Sequence, residues 1–115
     1  MAFCMNVPVE GGADTYYFAV PLNCRCIGAC SVVTLADVAT AAKTLTLSDG
    51  TTDIGVITIA NSSTEGTMDS IVMDTTSLGK VALGPATPLK VVMAGSGNGK
   101  FSVALLLDEF HGAAT

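Results

Sequence analysis

The sequence predicts an all-β protein: an antiparallel β-sandwich of jelly-roll or Greek-key type, with about eight strands. Runs rich in Val, Ile, Thr, Leu and aromatic residues recur about every 8–12 residues, separated by Gly, Pro, Asn and Asp. The only helical candidate, Ala36 to Ala42, is too short for a stable helix, so we interpret it as a loop or a single turn. Without crossover helices, the strands are expected to pair antiparallel within one domain of 115 residues.

Eight runs are predicted to form the strands of this sandwich. They cover residues 15–20, 24–34, 43–48, 53–60, 67–74, 79–83, 88–94 and 100–108. Two connections carry clear turn signals. Ser48 to Thr51 contains an Asp-Gly pair that tolerates positive φ, which predicts a tight hairpin. Gly95 to Gly99 is rich in glycine, which predicts a longer, flexible hairpin loop between the last two strands.

Residues 1–14 precede the first predicted strand and are expected to form an extended N-terminal arm. Their apolar residues alternate with others, which leaves two roles open. The arm either docks as a strand on a neighbouring protein or pairs within the sheet of its own chain. The predicted organisation is therefore an arm over residues 1–14, a β-sandwich over 15–110 and a C-terminal tail over 111–115.

The composition is apolar for a soluble protein. Half of the residues are hydrophobic, 13% are charged, and the mean hydropathy is +0.58. The longest uncharged stretches have 11 residues, short of the roughly 20 that a membrane-spanning helix needs, so no membrane partner is predicted. No secretory signal is recognised at the start of the sequence, which predicts synthesis in a cytosol. Either Ala and Thr inflate the hydropathy, or neighbouring chains bury part of the surface; we adopt the second interpretation.

The charge balance argues against nucleic-acid partners. The net charge is −5, and the chain has only five Lys and Arg residues. These cations are too few to form a basic face that neutralises phosphates. We therefore exclude nucleic-acid binding.

The cysteines at positions 24, 26 and 30 are the densest group of potential metal ligands. On a strand all three would point to one face, with Cys24 and Cys26 about 7 Å apart and Cys30 about 13 Å farther along, too far for one tetrahedral ion. A cytosolic setting disfavours disulfides. We interpret these cysteines as small hydrophobic residues that face the core, and we predict no metal site.

The remaining candidates for chemistry do not form a recognisable catalytic site. The glycine-rich loop before Lys100 lacks the spacing and the following helix of a phosphate-binding loop. His111 is the only histidine and lies near the C-terminus, and the carboxylates are scattered along the sequence. The sequence therefore predicts neither an enzyme nor a cofactor.

The turn and strand pattern resembles a known family. The most telling stretch is Thr44 to Ser70, TLTLSDGTTDIGVITIANSSTEGTMDS, and the closing strand ending in LLLDEF adds to it. Over residues 15–110 the sequence resembles the small capsid decoration (cement) proteins of tailed bacteriophages. That resemblance implies a structural virion protein, often a homotrimer, on the outer surface of the capsid. It would bind between major capsid protein subunits and stabilise the shell after synthesis in the host cytoplasm.

Both partners implied by the resemblance, the major capsid protein and further copies of this chain, require an interface. The candidate interface residues are Phe3, Val7 and Val9 on the arm, Tyr16 and Tyr17 on the first predicted strand, and Phe110 and His111 at the tail. The alternative function is a carbohydrate- or host-surface-binding β-sandwich displayed on the same particle. Tyr16 and Tyr17 could stack on a sugar, but neighbours on a strand face opposite sides.

Overall fold

A computed structural model describes residues 2–10, 14–35, 42–60, 63–74, 81–95 and 99–109. Ten strands lie in these ranges, numbered here in chain order. They are β1 (Ala2–Glu10), β2 (Asp14–Phe18), β3 (Cys24–Leu35), β4 (Lys43–Ser48), β5 (Asp53–Ile59), β6 (Met68–Ser70), β7 (Val72–Met73), β8 (Ala82–Leu83), β9 (Leu89–Ala94) and β10 (Lys100–Glu109). No helix lies within the described ranges, and the predicted all-β class is confirmed.

The strands form two antiparallel sheets, as predicted. The first sheet has the order β1-β10-β3-β6, with β8 also paired to β3. The second sheet has the order β2-β9-β4-β5-β7. Among the described strands, β4 and β5 are the only consecutive pair in one sheet, so nearly every connection carries the chain from one sheet to the other.

One hydrophobic core draws its side chains from both sheets. Side chains alternate between the faces of a strand, so β10 buries Phe101, Val103, Leu105 and Leu107 in turn. In the second sheet, β4 follows the same rule. The core is built mainly from Val, Leu and Ile, and Phe101 is the only aromatic side chain buried in it within the described ranges.

Residues 2–10 form strand β1 of the first sheet, where the sequence predicted an arm. β1 pairs with β10 along its whole length, from Ala2 opposite Asp108 to Glu10 opposite Lys100. Its alternating apolar residues place Val7 and Val9 in the core. Of the two roles left open by the sequence, the structure has pairing within the chain's own sheet, because that pairing buries the inward row of apolar side chains.

Residues 67–74 form two short strands in different sheets, so the prediction of one strand there was wrong. β6 pairs with β3 in the first sheet, and β7 pairs with β5 in the second. Ile71 lies between them, and its N–H donates to the carbonyl of Ala29. This split and the addition of β1 raise the strand count above the predicted eight.

The glycine-rich connection after β9 is a crossover between sheets, so the predicted hairpin was also wrong. β9 pairs with β2 and β4 in the second sheet, whereas β10 pairs with β1 and β3 in the first. Gly95 and Gly99 adopt φ angles of 113° and 116°, which suit glycine. Residues 36–41, which contain most of the helical candidate, lie outside the described residues, as do residues 79 and 80 of the predicted strand 79–83.

The tight hairpin predicted around Asp49 and Gly50 is confirmed. It joins β4 to β5, and Gly50 has a φ of 100°. The side chain of Asp49 accepts hydrogen bonds from the backbone N–H groups of Thr51 and Thr52, at 2.8 and 2.7 Å. The turn is therefore held by its own side chains, which explains why its sequence signal was reliable.

Lys43 is the one charged residue in the inward row of β4, where it is 1% exposed. It lies beside the crossover after β9, since a Cβ placed on Gly95 would come within 3.2 Å of the Lys43 Cα and Cγ atoms. Burial lowers the pKa of the Lys43 ammonium group below its ordinary value of 10.5. The folded protein therefore releases this proton at a lower pH than the unfolded chain does.

We expect Lys43 to make the free energy of unfolding rise with pH. Below the folded-state pKa, both states are protonated and the full cost of burying the charge is present. Between that pKa and 10.5, the unfolded chain binds more protons than the folded protein, so stability increases with pH. Urea unfolding of wild type and Lys43→Met from about pH 8 upward should show a stability difference that moves in favour of wild type. A difference that stays constant over this range would contradict the assignment.

Candidate interaction surfaces

The residues predicted to form an interface lie in different environments. Val7 and Val9 are buried in the core of this chain, so they do not contribute to its surface. Phe3 is half-buried and packs against the core. The inward direction of these three side chains follows from the pairing of β1 with β10, which is one of the two roles that the sequence left open for the arm. Phe110 and His111 lie outside the described residues.

Tyr16 and Tyr17 face opposite sides of β2, as predicted. Tyr16 is half-buried, its ring stacks on Phe18 at a centroid distance of 6.2 Å, and its hydroxyl donates to the carbonyl of Glu10. The same hydroxyl accepts from the Glu10 N–H at 3.3 Å. Tyr17 is 63% exposed and is the one exposed aromatic side chain in the described ranges. A single ring is a small platform for stacking on a sugar.

The outer face of the first sheet carries no charge across its central rows. The strand registers place its side chains in three rows that run across the sheet. The rows are Cys4, Leu106 and Gly28; Asn6, Ala104, Cys30 and Ser70; and Pro8, Ser102, Val32 and Met68. We call these positions the uncharged face.

Charged residues border the uncharged face at both ends. At one end, the Lys100 ammonium group lies 3.8 Å from the carboxylate of Glu10. At the other end, Asp108 and Arg25 are register partners. Leu106 is 40% exposed and Met68 is 65% exposed. Large apolar side chains are therefore accessible between two charged borders, an arrangement typical of protein interaction surfaces.

The outer face of the second sheet has a different character. Its central row consists of threonines and valines, from Thr15 on β2 through Thr46 on β4 to Val72 on β7. Lys90 and Tyr17 form a neighbouring pair, and Thr58 is exposed on β5. Because this face mixes hydroxyl and charged groups with apolar ones, the first sheet presents the more uniformly uncharged surface.

The cysteines of β3 do not share one face, so that prediction was wrong for Cys30. The pairing of β3 with β10 shifts register between Leu106 and Leu107, which leaves Ile27 as an extra residue. The bulge reverses the alternation: Cys24 and Cys26 face the core before it, whereas Cys30 lies on the uncharged face after it. Burial raises the pKa of the Cys24 and Cys26 thiols.

No chemistry of metals or disulfides is assigned to these residues. All four cysteines are free thiols. Within the described part of the chain, no group of three or more His, Cys, Asp or Glu side chains could hold a metal ion. The two buried thiols therefore act in the packing of the core, as the sequence predicted for them.

A cavity of about 440 Å³ lies where β1 ends and β10 begins. Its lining includes the Glu10 and Lys100 ion pair, Tyr16 and Thr34. Residues 11–13 and 36–41, which follow β1 and β3 in the sequence, lie outside the described residues.

The sequence prediction missed Leu106, Met68 and Cys4 as surface positions. A signal for Leu106 was present, because the outward positions of β10 before it are Ser102 and Ala104, and a leucine breaks that series of small residues. Met68 and Cys4 carried no such signal, since their outward direction depends on which strands β6 and β1 pair with.

Comparison with known proteins gave no match among family models, curated proteins or solved structures. Within the described ranges, the chain forms no helix with the length and hydrophobicity needed to span a bilayer.

Proposed function

We propose that this protein is a capsid decoration protein that binds the outer surface of a phage head between major capsid protein subunits and stabilises the shell. The observation that carries this proposal is the uncharged face, with Leu106 and Met68 accessible between the charged borders at Glu10 and Arg25. A protein made in the host cytoplasm and then incorporated into the virion would cover this face on assembly.

The energetics suit a protein that acts in many copies. Burying exposed apolar surface stabilises association by roughly 25 cal/mol per Å², and part of this is lost to the entropy of binding. A single small contact is therefore weak. When one chain of a homotrimer binds the shell, the other two chains are held close to their own binding sites, so their effective concentration there is high. A homotrimer would therefore bind more firmly than one chain. We include the homotrimer in the proposal for this reason.

We also propose that the strand arrangement is a jelly roll. Apart from the β4–β5 hairpin, consecutive strands alternate between the sheets. The orders β1-β10-β3-β6 and β2-β9-β4-β5 place strands from the start of the chain beside strands from its end. If β7 and β8 are treated as short additions of two residues each, eight main strands remain. Jelly rolls are common among viral capsid domains, which supports the proposed setting.

The test is binding to empty shells assembled from the major capsid protein of the same genome. Wild type should co-sediment with the shells and raise the temperature at which they disassemble. Leu106→Glu should weaken binding by about tenfold or more, because a buried, unpaired carboxylate costs more than 1.4 kcal/mol. Thr58→Glu, which places the same charge on the outer face of the second sheet, is the matched control and should bind like wild type.

Two outcomes would overturn the proposal. One is the failure of folded wild-type protein to bind shells at any tested concentration. The other is full retention of binding by Leu106→Glu with loss of binding by Thr58→Glu, which would move the contact to the second sheet. The homotrimer is proposed for the shell-bound protein, and it is checked by the number of 11.6 kDa chains that each site of a saturated shell binds, which should be three.

A further inference from the structure

The outer edge of β1 is the longest open sheet edge in the described part of the chain. β1 has nine residues, whereas the other strands at sheet edges, β2, β6, β7 and β8, have five, three, two and two. Among the described residues, no strand pairs with the side of β1 that faces away from β10. An edge of this kind presents unpaired backbone N–H and C=O groups that can hydrogen-bond to another strand.

The direction of these backbone groups can be derived from Glu10. Its N–H and C=O both bond to the Tyr16 hydroxyl, so they point away from β10. Alternate residues of an antiparallel strand share that direction, which assigns the same direction to Ala2, Cys4, Asn6 and Pro8. Pro8 has no N–H, and its outward position leaves the ladder to β10 intact. The open donors of the edge are therefore the N–H groups of Ala2, Cys4 and Asn6.

The charge distribution favours a second copy of this chain as the occupant of the edge. The chain has a net charge of −5, so copies generally repel each other, yet residues 2–9 contain no charged side chain. The first charge on β1 is Glu10, which lies beside Lys100 at the far end of the strand. Two β1 edges can thus approach at Cys4 without bringing like charges together.

We propose that β1 pairs antiparallel with β1 of a second copy about a two-fold axis at Cys4. The open donors fix the register: Cys4 lies opposite Cys4 of the second copy, and Ala2 lies opposite Asn6. This pairing satisfies the outward N–H groups of all three residues in both chains. Pro8 lies beyond the paired segment, where its missing N–H costs nothing.

The same register is self-complementary on the inner face. It places Phe3 opposite Met5 of the second copy, and the contact occurs twice because of the symmetry. Both side chains are half-buried at the margin of the core, so each would cover exposed surface of the other. The thioether of Met5 and the ring of Phe3 would attract each other, as a sulfur atom about 5 Å from an aromatic ring does. On the outer side, the pairing joins two uncharged faces into one continuous surface.

Cys4 allows the register to be tested directly. Residues opposite each other in a hydrogen-bonded antiparallel pair have Cα atoms about 5.5 Å apart, which is a distance that a disulfide spans. Cys4 is exposed, Cys30 is half-buried on β3 away from the proposed pairing, and Cys24 and Cys26 are buried thiols with raised pKa. Mild oxidation of the full chain should therefore give a covalent dimer linked through Cys4, identified by peptide mass spectrometry, and Cys4→Ser should abolish it.

Sedimentation of the reduced protein tests the interface without a cross-link. Wild type should show a dimer, and Cys4→Lys should raise its dissociation constant by about tenfold or more, because two ammonium groups would meet at the axis. Thr58→Lys adds the same charge on the second sheet and should leave the dimer unchanged. Both substituted positions are exposed, so circular dichroism should show both variants folded.

Several results would overturn the pairing. They are a monomer at all concentrations, an oligomer that Cys4→Lys leaves intact, or oxidation products linked through a cysteine other than Cys4. A trimer in which Cys4 does not cross-link would also overturn it, while leaving the proposed capsid function standing. Conversely, a Cys4-linked dimer that does not bind shells would leave the pairing standing and count against the proposed function.

Discussion

Leu105→Ala will lower the free energy of unfolding by about 3 kcal/mol, whereas Leu106→Ala will lower it by less than about 1 kcal/mol. The two leucines are neighbours on β10 and lie on opposite faces of the first sheet. Leu105 is 1% exposed in the core, so its truncation loses apolar burial and leaves a cavity. Leu106 is 40% exposed on the uncharged face, where water can fill the space.

Urea unfolding followed by circular dichroism measures both values, and equal slopes of the unfolding free energy against urea make them comparable. Both variants replace a leucine with an alanine on the same strand, so the change in strand propensity is the same in both. The difference between their stabilities therefore reports the difference in burial. Equal losses for the two variants would contradict the assigned faces of β10. A larger loss for Leu106→Ala would mean that the register with β1 and β3 is displaced by one residue.

Gly95→Ala is expected to have a comparably large effect, about 3 kcal/mol or more. Gly95 has a φ of 113°, a conformation that is strained for alanine. In addition, a Cβ atom there would lie 2.6 Å from the Ala42 carbonyl oxygen, which belongs to the backbone and cannot move freely. The substitution therefore combines backbone strain with a steric clash at the start of the crossover.

Two further glycines separate these causes. Gly50 has a φ of 100° and open space around a Cβ, so Gly50→Ala carries strain alone and should cost about 1–2 kcal/mol. Gly28 has open space and no positive φ, so Gly28→Ala should change stability by no more than about 0.5 kcal/mol. Thermal and urea unfolding of all three variants should give the order Gly95, Gly50, Gly28. A loss at Gly50 equal to that at Gly95 would show that the clash contributes nothing.

The parts of the fold that the sequence predicted correctly are those set by local chemistry. The β4–β5 hairpin is an example, because Asp49 and Gly50 hold the turn without help from distant residues. The alternation of apolar residues likewise placed the strands at about the right positions. In each case the sequence signal is carried by residues that lie close together along the chain.

The errors in the predicted fold depend on partners that are distant in sequence. Nothing within residues 67–74 indicates that the chain leaves the first sheet at Ile71 and enters the second. The glycines after β9 predicted a turn, but a hairpin and a crossover need the same flexible backbone. The bulge at Ile27 is visible only in the register with β10, and it decided the environment of Cys30.

The interaction surface was less predictable than the fold for the same reason. Val7 and Val9 were selected as interface residues because an apolar arm with no partner would expose them. Once β1 pairs with β10, these residues face inward and their neighbours Asn6 and Pro8 face outward. A single strand pairing therefore exchanges the roles of alternate residues, and local pattern alone could not determine it.

The position of β10 between β1 and β3 determines when the first sheet can form during synthesis. The ribosome makes β1 (residues 2–10) and β3 (residues 24–35) long before β10 (residues 100–109). β10 is the main partner of both β1 and β3. A nascent chain that stops before residue 100 leaves both strands without that partner and leaves their apolar rows exposed. Pairings this distant in sequence form slowly, so the unfinished chain is exposed to aggregation until residues 100–109 have been made.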